Sequence, residues 1–124
     1  MDKEWSFSND IPIYSQIVEH IKKQIISGKL KPGDRLSTVR DLANEAGVNP
    51  NTIQRALSEL ERMELVYSQR TSGRFITDNE DLIQRAKSEY AGRKIREFLQ
   101  SMREIGLSEK EIIKIIESEE TKNE

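Results

Sequence analysis

The stretch from Thr38 to Met63 constrains the fold of this chain more than any other, because it predicts two short helices joined by a tight turn. Thr38 suits the cap of the first helix and Gly47 suits its end, whereas Pro50 suits the first position of the second helix. The apolar residues of the second helix recur at the spacing of one helical face. They are Ile53, Ala56, Leu57 and Leu60. We therefore expect one face of this helix to be buried and the opposite face to stay open to a partner.

Uncharged hydrogen-bonding side chains occupy the start of the second helix. They are Asn49, Asn51, Thr52 and Gln54, and Arg55 follows them. Amides can pair with adenine edges and threonine can meet a base edge or the thymine methyl group, so the pattern suits base contacts in a major groove. An arginine at the next position suits a phosphate. Two structural alternatives stay open: Asn49 as a helix cap only, and the other polar residues as weak helix formers at a helix start.

Length and composition limit the classes of protein to which the chain can belong. Its 124 residues, 35% apolar and 34% charged, suit one small domain with an appendage. The absence of cysteine excludes disulfides and thiolate-bound metals and is compatible with a reducing compartment. No apolar run approaches the roughly 18 residues of a membrane span, and the N-terminus lacks a signal pattern. We expect a soluble, cytoplasmic protein with no membrane partner.

Charge is distributed unevenly along the chain. The net charge of −2 argues against a simple nucleic-acid binder, because such domains are usually basic overall. Residues 29–40, however, hold four bases and one acid, whereas acids outnumber bases by 11 to 9 in residues 80–124. This distribution predicts a patch that faces phosphates on a chain that is acidic elsewhere. For Arg40 the alternative is an exposed helix charge paired with Asp34 or Asp41.

The segment before the helix pair predicts a further helix over residues 12–25, whose apolar residues repeat at helical spacing. Pro12 suits the first helical position, after a cap at Asn9 or Asp10. The residues before this cap are polar but include the aromatic Trp5. Because this ring is too apolar for a plain tail, we expect it to pack against the first helix.

The segment after the helix pair predicts a β-hairpin. Short β-prone runs at residues 65–68 and 74–77 flank the turn formed by Thr71, Ser72 and Gly73. Three helices followed by a hairpin describe a winged helix-turn-helix, and the predicted fold is therefore mainly α with a small β-hairpin. We expect this DNA-binding domain to span residues 1–77.

Beyond Asp78 the sequence becomes long, charged and helical, which predicts two C-terminal helices. The apolar stripe of the first includes Phe98, Leu99 and Met102. A capping box at residues 108–111 starts the second. Its four isoleucines are too many for a helix that is free in water. They are Ile112, Ile113, Ile115 and Ile116. Residues 78–124 are therefore predicted to form a dimerisation region.

Four motifs resemble the GntR family of bacterial transcription regulators, in the family's order and spacing over most of residues 12–76. They are Pro12-Ile13-Tyr14-Ser15-Gln16-Ile17, Lys31-Pro32-Gly33-Asp34-Arg35-Leu36, Val39-Arg40-Asp41-Leu42-Ala43 and Gly47-Val48-Asn49-Pro50-Asn51-Thr52. The two-helix tail is similar to the YtrA subfamily, whose C-terminal region mainly dimerises. The resemblance implies a homodimeric winged-helix repressor that binds a near-palindromic operator in double-stranded DNA. It also implies that Arg40 and the start of the second helix of the pair, the recognition helix, touch DNA, with the glycine-containing wing tip along the minor groove.

Three residues depart from the family pattern. Ser37 stands where a proline is usual, Glu64 where a glycine usually ends the recognition helix, and Thr71 where the wing usually has a glycine. Glu64 makes the end of the recognition helix less sharply determined. Thr71 leaves only Gly73 for a close approach of the wing to the DNA backbone.

The predicted function is that of a sequence-specific DNA-binding transcription repressor. The residues predicted to contact DNA are Arg35, Arg40, Asn49, Asn51, Thr52, Gln54, Arg55, Arg70 and Gly73. Those predicted to form the dimer interface are Phe98, Leu99, Met102, Ile112, Ile113 and Ile116. Catalysis, metals and cofactors are not expected, because the chain has no cysteine nucleophile, a single histidine and no glycine-rich phosphate loop. The alternative is a protein-binding winged helix whose apolar tail is the partner site, and a small-molecule effector is left open.

Overall fold

This computed structural model describes residues 5–122, which contain five helices and one β-hairpin. In chain order the elements are α1 (Ile13–Ile26), α2 (Val39–Ala46), α3 (Pro50–Arg62), β1 (Val66–Gln69), β2 (Gly73–Ile76), α4 (Glu80–Glu104) and α5 (Glu109–Lys122). The predicted fold class, mainly α with a small hairpin and two C-terminal helices, is confirmed. The predicted helix pair corresponds to α2 and α3.

The hydrophobic core lies between α1, α2 and α3 and extends to the base of the hairpin. The apolar stripe predicted for α3 is fully buried, since each of its four residues is 0% exposed. Core residues from the other elements are Ile17, Val18, Ile21, Ile25, Leu36, Leu42, Ala43, Leu65, Val66 and Ile76. Trp5 joins this core, and its ring centroid lies 4.1 Å from that of His20 on α1. The expected packing of this aromatic residue on the first helix is confirmed.

The starts of the helices follow local hydrogen-bonding rules, with one exception. The Oγ1 atom of Thr38 accepts a hydrogen bond from the backbone N–H of Asp41 and caps α2. At α1 the prediction is wrong: the helix begins at Ile13, and Pro12 occupies the cap position without a side-chain cap bond. Gln16 instead ties the preceding segment to α1, because its amide nitrogen donates to the carbonyl oxygens of Ser8 and Ile11.

The hairpin pairs β1 and β2 in antiparallel register, with Ser68 opposite Arg74 and Gln69 opposite Gly73. The connecting turn lies at residues 70–72, one residue earlier than predicted. A third segment, residues 33–36, lies along the other edge of β2. Backbone hydrogen bonds join Leu36 N–H to the Arg74 carbonyl at 2.8 Å and Ile76 N–H to the Asp34 carbonyl at 2.8 Å. The hairpin at residues 66–76, which is the wing, is therefore attached through β2 to the segment at residues 33–36.

The chain divides into two compact units, Met1–Lys87 and Ser88–Glu124. In the second unit the capping box of α5 is formed. The carboxylate of Glu111 accepts from the Ser108 N–H at 2.8 Å, and the Ser108 hydroxyl accepts from the Glu111 N–H at 3.2 Å. Among the described residues, no helix has both the length and the apolar character needed to cross a membrane.

Candidate DNA interface

The start of α3 presents the polar side chains that the sequence places there. Asn51 and Gln54 are exposed and Thr52 is half-buried, and all three lie outside the buried stripe. The Oδ1 atom of Asn49 accepts a hydrogen bond from the Asn51 N–H at 2.7 Å, so Asn49 acts as the helix cap. The first turn of α3 contains no acidic residue. Together with the positive end of the helix dipole, this makes the start of α3 suited to a polyanion.

Arg55 follows this polar turn, and α1 holds its guanidinium in place. The Cζ atom of Arg55 lies 3.8 Å from the centroid of the Tyr14 ring, which is a cation–π contact. Tyr14 lies in the first of the four family motifs, and the sequence predicted no role for it in the site. Its spacing within α1 could not reveal the contact, because the pair joins two elements that only tertiary packing brings together.

Arg40 lies in the first turn of α2 and is exposed. Within residues 5–122, this guanidinium forms no ion pair closer than 4.0 Å. The proposed alternative partner Asp34 instead accepts from the Lys31 backbone N–H at 2.8 Å and closes its own turn. The charge of Arg40 is therefore directed to solvent, as a phosphate contact requires.

Arg35 lies across the wing at Gly73. A Cβ atom built on Gly73 would lie 3.2 Å from the Nε atom of Arg35 and 3.4 Å from Nη2. Gly73 also has a φ angle of +103°, which side chains rarely adopt. This glycine therefore makes room for a guanidinium of the same chain, which is a second reason for its position in the wing.

The turn of the wing carries Arg70, which is exposed. The Ser72 N–H donates to the Gln69 carbonyl at 3.1 Å and closes this turn. Arg70 is thus presented at the end of the hairpin that is farthest from the buried residues Val66 and Ile76. Such a position suits contact with a DNA backbone beside the groove that α3 would enter.

Two other arginines of this unit, one on α3 and one on β2, are paired with carboxylates. Arg62 donates from Nη2 to Glu59 at 2.7 Å, and this hydrogen bond is the main reason that the pKa of Glu59 lies below its ordinary value. Arg74 donates from Nε to Glu61 at 3.4 Å. The structure therefore separates paired guanidiniums at the C-terminal end of α3 from the solvent-directed charge of Arg40.

The second unit contains an apolar groove between the end of α4 and α5, with a volume of about 290 Å³. Ile112 lines this groove but is only 4% exposed, so it offers little surface to a partner. Three predicted interface residues are open to solvent: Phe98 is 42%, Ile113 52% and Ile116 40% exposed. Leu99 and Met102 are half-buried. The exposed isoleucines form an apolar surface that is unusual for a helix in water.

None of the residues that the structure describes form a group of three or more His, Asp or Glu side chains able to hold a metal ion.

Residues 13–76 match the family of bacterial regulatory proteins called gntR. The chain belongs to the GntR family. The resemblance that the four motifs predicted is therefore confirmed, and so is the winged helix-turn-helix that it implied.

Relatives of this GntR chain include proteins similar over most of its length. The HTH-type transcriptional regulator YhcF of Bacillus subtilis is 36% identical over 112 residues, which cover 90% of this chain and 93% of YhcF. The transcriptional repressor YtrA of the same organism is 43% identical over 68 residues, or 55% of this chain and 52% of YtrA.

Solved structures support the same assignment. A family member from Listeria monocytogenes has a TM-score of 0.85 and 36% identity, covering 90% of this chain and 98% of that one. The DNA-binding domain of AraR, solved in complex with operator ORX1, has a TM-score of 0.55 and 30% identity. That match covers 58% of this chain and 93% of the AraR chain.

Proposed function

We propose that this GntR protein is a sequence-specific repressor that binds a near-palindromic DNA operator as a homodimer in the cytoplasm. The observation that carries this proposal is the open polar start of α3, opposite a stripe that is 0% exposed. A helix of this kind can enter the major groove with its first turn against base edges. The AraR domain bound to its operator supports this role for the shared part of the fold.

The exposed side chains divide into two groups by chemistry. Asn51, Thr52 and Gln54 are neutral donors and acceptors, which suits them to base edges. The predicted phosphate contacts come from α2, α3, the segment beside β2 and the wing turn. They are Arg40, Arg55, Arg35 and Arg70. Because guanidiniums bind phosphates in any sequence, this second group fixes the position of α3 without selecting bases.

The proposed dimer forms through residues 78–124, and residues 1–77 form the DNA-binding domain. Its support is the exposed apolar surface of α5, which includes Ile113 and Ile116. Burying side chains of this size contributes about 1.5–3 kcal/mol each before the cost of association. A two-fold dimer would present two α3 helices to two half-sites, which is why we propose a near-palindromic operator.

Relatives support the remaining parts of the proposal. YtrA, which is 43% identical to this chain over 68 residues, is a repressor, and we propose the same direction of control here. We propose no catalytic activity, because family membership and the open polar turn are both explained by DNA binding. A small-molecule effector is compatible with the apolar groove of the second unit, whose volume of about 290 Å³ suits only a small ligand.

The proposal is tested by selecting bound sites from random duplexes and then titrating the selected site against a scrambled duplex. Four phosphate contacts per subunit make eight per dimer, so the slope of log K against log salt should be about −7. The selected site should contain two related half-sites and bind at least about 10³-fold more tightly than the scrambled duplex. If no site is enriched and neither duplex binds at low salt, the protein-binding alternative replaces the repressor.

A further inference from the structure

One carboxylate in the last turns of α3 contacts both strands of the wing. The Oε2 atom of Glu61 accepts a hydrogen bond from the hydroxyl of Ser68 on β1. Its Oε1 atom accepts from the Nε atom of Arg74 on β2 at 3.4 Å. Ser68 and Arg74 are direct partners in the hairpin register. Glu61 therefore joins the recognition helix to both strands at the same step of the ladder.

Among the described residues, no other side-chain hydrogen bond or ion pair joins α3 to this step of the hairpin. Along β1, Val66 is buried and Tyr67 half-buried, whereas Ser68 and Gln69 are exposed. Apolar packing thus ends one residue before the level at which Glu61 makes its contacts. The backbone bond from Leu36 to the Arg74 carbonyl holds β2 to the segment at residues 33–36, not to α3. An isolated two-stranded hairpin is marginally stable in water, so its outer half depends on such attachments.

The pair is also better shielded from solvent than the other ion pair on α3. The side chains of Arg74 and Glu61 are 22% and 28% exposed, whereas those of Arg62 and Glu59 are 70% and 34% exposed. Partial shielding reduces salt screening and makes each charged contact stronger than at the open surface. The Glu59 pair also stays within a single helix, so it cannot orient one element relative to another.

We propose that Glu61 is a positioning residue for operator recognition, which fixes the angle of the wing relative to α3. Through this contact Arg70 and Gly73 of the wing reach the DNA backbone when Asn51 and Gln54 meet the bases. The inference rests on the proposed DNA-binding function, because it assigns Glu61 a part in that same interface.

The test compares Glu61→Gln with Glu59→Gln in the full chain. Both variants remove one negative charge from the same helix, but only Glu61→Gln weakens the attachment of the wing. We expect Glu61→Gln to lose about tenfold in affinity for the selected operator, chiefly through faster dissociation. A loss of this size is typical of the interaction between two residues in contact. Its affinity for a scrambled duplex should equal that of Glu59→Gln. Amide hydrogen exchange at residues 66–76 should be faster in Glu61→Gln only.

Two further variants separate positioning from a general loss of folding. Ser68→Ala removes one of the two contacts and should cost about threefold in operator affinity at an unchanged melting temperature. In the background of Arg74→Gln, Glu61→Gln should have a much smaller effect, because its charged partner is already absent. An additive loss in the double variant would show that Glu61 acts independently of Arg74 and would overturn the inference.

Equal operator affinity and equal wing exchange in Glu61→Gln and Glu59→Gln would also overturn it. That result is distinguishable from failure of the proposed function. If the wild-type protein selects an operator and both variants bind it alike, only the role of Glu61 is refuted. If the wild-type protein selects no site, the DNA-binding proposal itself fails.

Discussion

Replacement of Glu64 by glycine should stabilise the protein, because the recognition helix ends in a conformation that suits glycine. Glu64 has a φ angle of +64° and is the one non-glycine residue with positive φ among the described residues. Its N–H donates to the Glu61 carbonyl at 2.9 Å, and the Leu65 N–H donates to the Leu60 carbonyl at 3.1 Å. These two bonds define a Schellman ending, in which the residue at this position is usually glycine.

The expected gain is the difference between two terms. A left-handed backbone costs a residue with a Cβ atom about 1–2 kcal/mol. Glycine avoids this strain but loses more backbone freedom on folding, which costs about 0.5–1 kcal/mol. Glu64→Gly should therefore raise the free energy of unfolding by about 0.5–1 kcal/mol. For a domain of this size the melting temperature should rise by about 2–8 °C.

The matched control is Glu64→Ala, which removes the same carboxylate but keeps the strained backbone. Thermal unfolding followed by circular dichroism, at one protomer concentration for all variants, measures the difference. Glu64→Gly should melt higher than both the wild type and Glu64→Ala, and its operator affinity should stay within about twofold of the wild type. If Glu64→Ala gains as much as Glu64→Gly, the effect belongs to the side chain, and the strain argument is wrong.

Three further predictions concern separate contacts. Tyr14→Leu should weaken operator binding about three- to tenfold in a filter-binding titration, whereas Tyr14→Phe should keep the stacked Arg55 and bind like the wild type. Ile113→Glu with Ile116→Glu should give monomers by light scattering at micromolar concentration, because charges replace the exposed apolar surface of α5. Hydrogen bonds from Ser108 lower the pKa of Glu111 below its ordinary value of 4.5. The stabilisation of α5 by this cap is therefore complete at pH values above 4.5 and is lost as the pH falls through the lowered pKa. Helical NMR shifts at the start of α5 should report this loss in the wild type and not in Glu111→Gln.

The parts of the fold that depend on local sequence could be predicted. The apolar stripe of α3 and the caps at Thr38 and Asn49 follow from residue spacing within one element, and the structure confirms all three. The exception is the start of α1, where Gln16 binds the preceding backbone and neither Asn9 nor Asp10 caps the helix. There the side chain of Gln16, from within the helix, makes the hydrogen bonds to the preceding segment, and no cap side chain bonds the first turn.

The parts of the site that join different elements could not be predicted. Tyr14 meets Arg55, and Glu61 meets Arg74, across sequence separations that no helical or strand period relates. The contact between the guanidinium of Arg35 and Gly73 of the wing is likewise outside the reach of any helical or strand period. Periodicity identifies which face of a helix is buried, but the neighbour of an exposed side chain depends on how the elements pack. The sequence therefore predicted the residues that face outward and missed those that hold them in place.

The central claim is that the polar start of α3 selects bases while the surrounding arginines bind phosphates. The most direct test is a titration of Asn51→Ala, Gln54→Ala and Arg40→Ala against the selected operator and a scrambled duplex at two salt concentrations. Asn51→Ala and Gln54→Ala should each lose about 1–3 kcal/mol on the operator and almost nothing on the scrambled duplex. Arg40→Ala should weaken both duplexes alike and reduce the salt slope by about one unit for each phosphate that the variant no longer binds. If the Asn51 and Gln54 variants lose the same factor on both duplexes, α3 does not select bases, and its polar first turn serves only capping and solvation.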